Sequence, residues 1–109
     1  MLNKLNNILN EYVQGLVNII GDDLDKVILY GSYARGEQSL DREISDIDIM
    51  ILIKSNNVTE VQAKVIDYCY DLDLQYDILL SPIVENTDIF NIEQNLFHFI
   101  KMLREKVFY

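Results

Sequence analysis

The sequence predicts a small α/β sandwich, one β-sheet covered by helices, and three observations carry that expectation. Segments with apolar residues at steps of three and four alternate along the chain with short runs of alternating or β-prone apolar residues. A length of 109 residues leaves room for one core, so residues 1–109 are expected to form a single domain. The composition is 50% hydrophobic and 25% charged with one Pro and four Gly, which is that of a folded chain rather than a disordered one.

The elements follow in order. Leu5, Leu9, Tyr12, Leu16 and Ile19 form the stripe of an amphipathic helix over about 2–20, which Gly21 can end. Val27-Ile28-Leu29-Tyr30, between a Gly-Asp-Asp turn and Gly31-Ser32, predicts a first strand over about 24–30. Ser32 stands in N-cap position before helix-forming residues, but Gly36 limits that helix to a turn or two, and the polar stretch from Gln38 to Ile44 reads as a loop. Ser45 to Lys54 reads as a second strand, with Ile47, Ile49, Ile51 and Ile53 on one face and Asp46, Asp48, Met50 and Leu52 on the other.

After the Asn56-Asn57 turn, Val58, Val61, Val65, Cys69 and Leu72 have helical spacing, expected to hold to about Tyr70. Leu74, Tyr76, Ile78 and Leu80 then alternate with Gln75, Asp77 and Leu79, which predicts a third strand over about 74–80 that Ser81-Pro82 closes. Ile89, Ile92, Leu96, Phe99, Leu103 and Val107 share a stripe and predict a long final helix over about 87–107. Its basic residues Lys101, Arg104 and Lys106 suit the negative end of a helix dipole. Strand direction does not follow from this order, because short loops permit hairpins and intervening helices permit parallel crossovers.

Charge excludes some functions. Nine Lys and Arg stand against eighteen Asp and Glu, a net charge of −9, and such a surface repels nucleic-acid backbones. An anionic ligand needs a metal ion or a local anion pocket to overcome that field. The single cysteine, Cys69, rules out an internal disulfide and a thiolate zinc cluster and fits a reducing compartment. No apolar run nears the roughly 18 residues of a membrane span and the polar start does not resemble a signal peptide, so a cytoplasmic protein is expected.

Three short segments carry chemistry. Gly31-Ser32 hands a strand over to a helix, where free N–H groups, a close backbone and a hydroxyl suit a phosphate, and Arg35 adds a guanidinium one turn on. Alone, the pair reads first as a tight turn with an N-cap serine. Asp46 and Asp48 lie two apart on a strand and project to one side, where the two anions repel unless a hard cation such as Mg²⁺ lies between them. Alone, they are equally an acidic strand end. Asp77 is expected mid-strand in an apolar segment, where burial is costly unless it joins that pair as a third carboxylate; the alternative is an edge-strand residue facing water.

Together these segments are specific. Gly31-Ser-Tyr-Ala-Arg-Gly-Glu37 and Ser45-Asp-Ile-Asp-Ile49, with Asp77 after a helix, resemble the nucleotidyltransferases of the DNA polymerase β superfamily. Within it the chain looks most like the minimal nucleotidyltransferases, the MNT or MntA-type antitoxins that pair with HEPN-domain toxins. The resemblance covers about residues 24–81 and implies a small mixed sheet covered by helices. It implies that Gly31, Ser32 and Arg35 bind the nucleotide triphosphate, and that Asp46, Asp48 and Asp77 are catalytic and hold Mg²⁺, two ions in all. The implied reaction is attack of an acceptor hydroxyl on the α-phosphate of ATP with release of pyrophosphate, and the implied acceptor is a tyrosine of a HEPN toxin.

Two other functions share these residues. A binding module would neutralise a toxin by contact alone, although three converging carboxylates cost stability when unliganded. A small-molecule transferase acting on an antibiotic would need an acceptor-holding domain, for which this chain has no length. His98, flanked by Phe97 and Phe99, reads as structural, and Cys69 as a small buried hydrophobe. Nothing beyond their hydroxyls marks Tyr68 or Tyr70 as modification sites.

Overall fold

The computed structural model describes residues 2–30, 47–92 and 106–107. Helix α1 covers Leu2–Ile20, and Gly21, at a φ of 71° that suits glycine, turns the chain through a short 3₁₀ segment into strand β1, Leu24–Tyr30. Strand β2 is Ile47–Ile53, helix α2 Val58–Tyr76, strand β3 Leu80–Asn86, helix α3 Thr87–Ile92 and strand β4 Lys106–Val107. The predicted short helix from Ser32, the loop 38–44, Ser45, Asp46, His98 and the stretch 93–105 of the predicted final helix lie outside the described residues.

The sheet is mixed, in the order β3-β2-β1-β4. Strand β1 runs antiparallel to β2 and β4, whereas β2 and β3 are parallel, with α2 as their crossover. The alternation in β2 sorts its residues as the sequence predicts. Ile47, Ile49, Ile51 and Ile53 enter the large core, with Ile8, Leu9, Tyr12, Val13 and Leu16 of α1 and Val61, Val65, Cys69 and Leu72 of α2. Met50 and Leu52 face the other side and pack with Ile28 and Phe90 of α3. A register shift at Asp25 inserts one extra residue in β1, and this bulge brings both Leu24 and Val27 onto the large core.

Three predicted elements are corrected. Helix α2 runs on to Tyr76, and the third strand is Leu80–Asn86 rather than 74–80. Tyr76 continues the helical spacing of Cys69 and Leu72 and packs against the large core. The N–H groups of Asp77 and Ile78 both return to the Asp73 carbonyl, which closes the helix. At the C-terminus, Lys106-Val107 pairs with Ile28 and Leu29 as a strand, so the predicted helix does not reach 107. A two-residue edge strand carries no periodicity of its own, so its partner decides its conformation.

Side chains tie down the end of the sheet where β1 begins and β2 and β3 finish. Asp23 accepts from the Ser55 N–H at 2.8 Å and the Ser55 hydroxyl at 2.7 Å. The buried Asn86 amide donates to the carbonyls of Lys54 and Ser55, and its Oδ1 accepts the N–H of Ile89. The outer edge of β3 is closed in the same way by α2. Leu80 N–H donates to Asp73 Oδ1 at 2.9 Å, Pro82 has no N–H, and Gln62 takes both the Pro82 carbonyl and the Val84 N–H.

Candidate active site

Antiparallel pairing sets Tyr30, the last residue of β1, opposite Asp48, and parallel pairing sets Asp48 beside Ser81. Three strand ends therefore meet at one edge of the sheet: the end of β1, from which the chain passes into Gly31-Ser32, and the beginnings of β2 and β3. The amide of Ile47 donates to the Leu79 carbonyl at 2.8 Å and fixes β3 to β2 there. Of the seven β2 residues Asp48 alone is not buried. Its alternation with Met50 and Leu52 puts it on the face where those two pack with Phe90 of α3.

The sequence-predicted site residues divide into three groups. Asp48 is on a strand beside the sheet edge, as expected. Gly31, Ser32, Arg35 and Asp46 lie outside the described residues, although Gly31 directly follows Tyr30 and Asp46 directly precedes Ile47. Asp77 is not mid-strand. It closes α2 in the left-handed region at φ 54° and ψ 50°, exposed, on the turn three residues ahead of β3. The position beside Asp48 belongs instead to Ser81, which the sequence pattern places with Pro82 at the close of a strand. The signal that finds it is the helical spacing running through Tyr76, which pushes the strand onward.

The donors at this edge are a carboxylate and a hydroxyl, hard oxygen ligands of the kind that Mg²⁺ takes. Among the described residues no cluster of three or more His, Cys, Asp or Glu is placed to hold a metal. Between α1 and α2 the Tyr12 and Cys69 titrations are perturbed. Burial first, then Cys69, holds the Tyr12 hydroxyl well above its usual range. Burial pushes the Cys69 thiol up to about 11 despite the hydrogen bond with Tyr12.

A nucleotidyltransferase domain model matches residues 3–106. The chain belongs to the nucleotidyltransferase domain family. It is 42% identical over 77 residues to "Putative protein adenylyltransferase MJ0141" of Methanocaldococcus jannaschii, covering 71% of this chain and 75% of that protein. A second relative from the same organism, "Putative protein adenylyltransferase MJ0604", is 39% identical over 84 residues, covering 76% of this chain and 75% of its own length. A crystal structure of a toxin-antitoxin MntA-HpeT mutant has the same fold, with a TM-score of 0.55 at 18% identity over 91% of this chain and 70% of that one. The minimal nucleotidyltransferase expected from the Gly31-Ser32 and Asp46-Ile-Asp48 segments is thereby borne out. No described helix is long and apolar enough to cross a membrane.

Proposed function

We propose that this nucleotidyltransferase moves AMP from ATP to a tyrosine hydroxyl of a partner HEPN-domain toxin in the cytoplasm and so acts as an antitoxin. One observation carries the reading: the Tyr30, Asp48 and Ser81 pairing converges three strand ends where the Gly31-Ser32 and Asp46 segments enter the sheet. The adenylyltransferase names of the relatives and the toxin-antitoxin nature of the structural neighbour support the substrate and partner.

In this reading the backbone N–H groups after Gly31, the Ser32 hydroxyl and the Arg35 guanidinium bind triphosphate oxygens. Asp46 and Asp48 would hold Mg²⁺, and Asp48 is the half-buried residue of an otherwise buried strand. Bound Mg²⁺ supplies the positive charge that a −9 chain lacks for a triphosphate. The acceptor oxygen attacks the α-phosphorus, the bond to the bridging oxygen breaks, and pyrophosphate leaves with the electron pair while the hydroxyl proton passes to a carboxylate or to water. Asp77 is exposed on the turn ahead of β3, so the reading does not depend on it. Catalysis rests on positioning and electrostatics.

The test is incubation with Mg²⁺ and labelled ATP, with and without a HEPN-domain toxin, read by intact mass. The expected result is one or more adenylyl groups on the partner, lost in Asp46→Ala and Asp48→Ala although the complex still forms. A stable complex with no transfer would overturn the catalytic reading and move the role to neutralisation by contact.

A further inference from the structure

Helix α2 keeps three large apolar side chains in water. Ile66, Tyr70 and Leu74 follow one another at steps of four and are 51%, 63% and 68% exposed. They are distinct from the stripe Val61, Val65, Cys69 and Leu72 that α2 gives to the core. One step round the helix, Asp67 and Asp71 run parallel to them and are exposed too. The apolar stripe borders a groove of about 260 Å³ between α2 and the first half of β3. Ile66, Cys69, Tyr70 and Asp73 line it on the helix side, and Leu80, Ser81 and Pro82 on the strand side. An ordered row of this kind beside an apolar groove marks an interaction surface rather than the scattered exposure of ordinary monomers.

The structure also narrows the occupant. An added β-strand is excluded, because Asp73, Pro82 and Gln62 leave the first half of the β3 edge without a ladder to extend. A second copy of this chain is disfavoured, because a two-fold contact would set the Asp67 and Asp71 rows of two molecules, each of net charge −9, against each other. The one lysine of α2, Lys64, is taken up with Glu60 at 3.5 Å. The matching partner surface is therefore a helix with apolar residues along one side and Lys or Arg beside them.

We infer that the α2 stripe and its groove dock an amphipathic, basic helix of the acceptor protein, with Leu, Ile or Phe side chains in the groove and Lys or Arg against Asp67 and Asp71. This rests on the reading that the acceptor is a protein. The groove reaches Ser81, Asp48's neighbour in the sheet, so a partner held there lies one strand away from the catalytic edge.

The test uses the proposed acceptor, a HEPN-domain toxin, titrated calorimetrically against wild type, Ile66→Ser/Leu74→Ser and Asp67→Lys/Asp71→Lys. All four positions are exposed, so each variant is expected to melt like wild type and bind ATP equally well. The expected result is at least tenfold weaker partner binding by both variants and a raised KM for the partner with kcat retained at saturation. Wild-type affinity should fall with added salt, and the lysine variant should lose that dependence. Wild-type-like binding by both variants, with transfer intact, overturns the docking surface and leaves the transferase standing. Self-association of wild type through the stripe, abolished by Ile66→Ser/Leu74→Ser, overturns it in favour of a second copy. A wild-type protein that neither binds nor modifies the HEPN protein overturns both readings.

Discussion

Asp48 and Ser81 are partners in the parallel pairing of β2 and β3, so their side chains leave the same face of the sheet at the edge where β1 ends. A carboxylate introduced at position 81 would therefore stand beside Asp48. Ser81→Asp is expected to destabilise the metal-free protein by about 1 kcal/mol through like-charge repulsion. A divalent cation bound between the two carboxylates reverses that penalty. Thermal melting with and without Mg²⁺ reads it: the variant should melt below wild type without the ion and gain more from it. An equal response to Mg²⁺ in both proteins would place the metal away from this edge.

Asp77 adopts a left-handed conformation that costs most side chains energy and glycine almost none. Asp77→Gly is expected to raise stability by about 0.5 kcal/mol and Asp77→Ala to lower it by about 1 kcal/mol, as measured by urea unfolding. Asp77→Asn keeps the turn, since Asn tolerates this conformation, while it removes the charge. Transfer at a near wild-type rate is expected of it. A loss of about a hundredfold would make Asp77 an acid-base group of the reaction after all.

Gly15 on α1 makes room for the ring of Tyr68, which stacks on Tyr12 at 5.6 Å and donates its hydroxyl to the Glu11 carbonyl. Tyr76 donates to the Glu11 carboxylate alongside. A Cβ at position 15 would run into the hydroxyl end of Tyr68, so Gly15→Ala forces the ring out of its place. The expected net cost is about 1 kcal/mol, strain outweighing the gain in helix propensity. In a Tyr68→Ala background the sign should reverse, with Gly15→Ala stabilising by about 1 kcal/mol. Equal effects in the two backgrounds would show that the ring does not need the glycine.

The Cys69 thiol, buried and hydrogen-bonded with Tyr12, is raised from 9.0 to about 11, chiefly by burial. The unfolded chain loses this proton near pH 9 while the folded chain keeps it to about 11. Stability from this group is therefore complete below about pH 9 and is lost as pH rises towards 11. The raised Tyr12 hydroxyl acts in the same direction at higher pH. Urea midpoints should fall across that window more steeply in wild type than in Cys69→Ala. Native protein at pH 8 should resist thiol-specific alkylation, and rapid labelling without unfolding would contradict the burial.

Where the sequence was read correctly, two signals agreed. Leu2–Ile20 combines helical spacing with a glycine stop, and Leu24–Tyr30 combines β-prone residues with turn residues at both ends, so both elements have the predicted bounds. The segment from Leu74 to Leu80 failed because it satisfies two periods. Leu74, Tyr76, Ile78 and Leu80 alternate, yet Tyr76 also continues the helix of Cys69 and Leu72. At the candidate site, Asp48 follows from the pair of acidic positions, Asp46 and Asp48, at the start of an apolar strand. Ser81 was missed because it is a small polar residue before a proline, a pattern that usually ends a strand.

The sequence alone determined the kind of chain this is: one sheet with helical cover, an acidic surface, and a Gly-Ser and Asp-x-Asp pair with the character of a nucleotidyltransferase. Those properties are local, set by side-chain type and spacing along the chain. The partners of each strand were decided only in three dimensions. Asp73 and Gln62 of α2 hold β3 from outside, Asp77 turns the chain, and the resulting register brings Ser81 rather than Asp77 alongside Asp48. A strand's place follows from hydrogen bonds to residues distant in sequence, which periodicity does not encode.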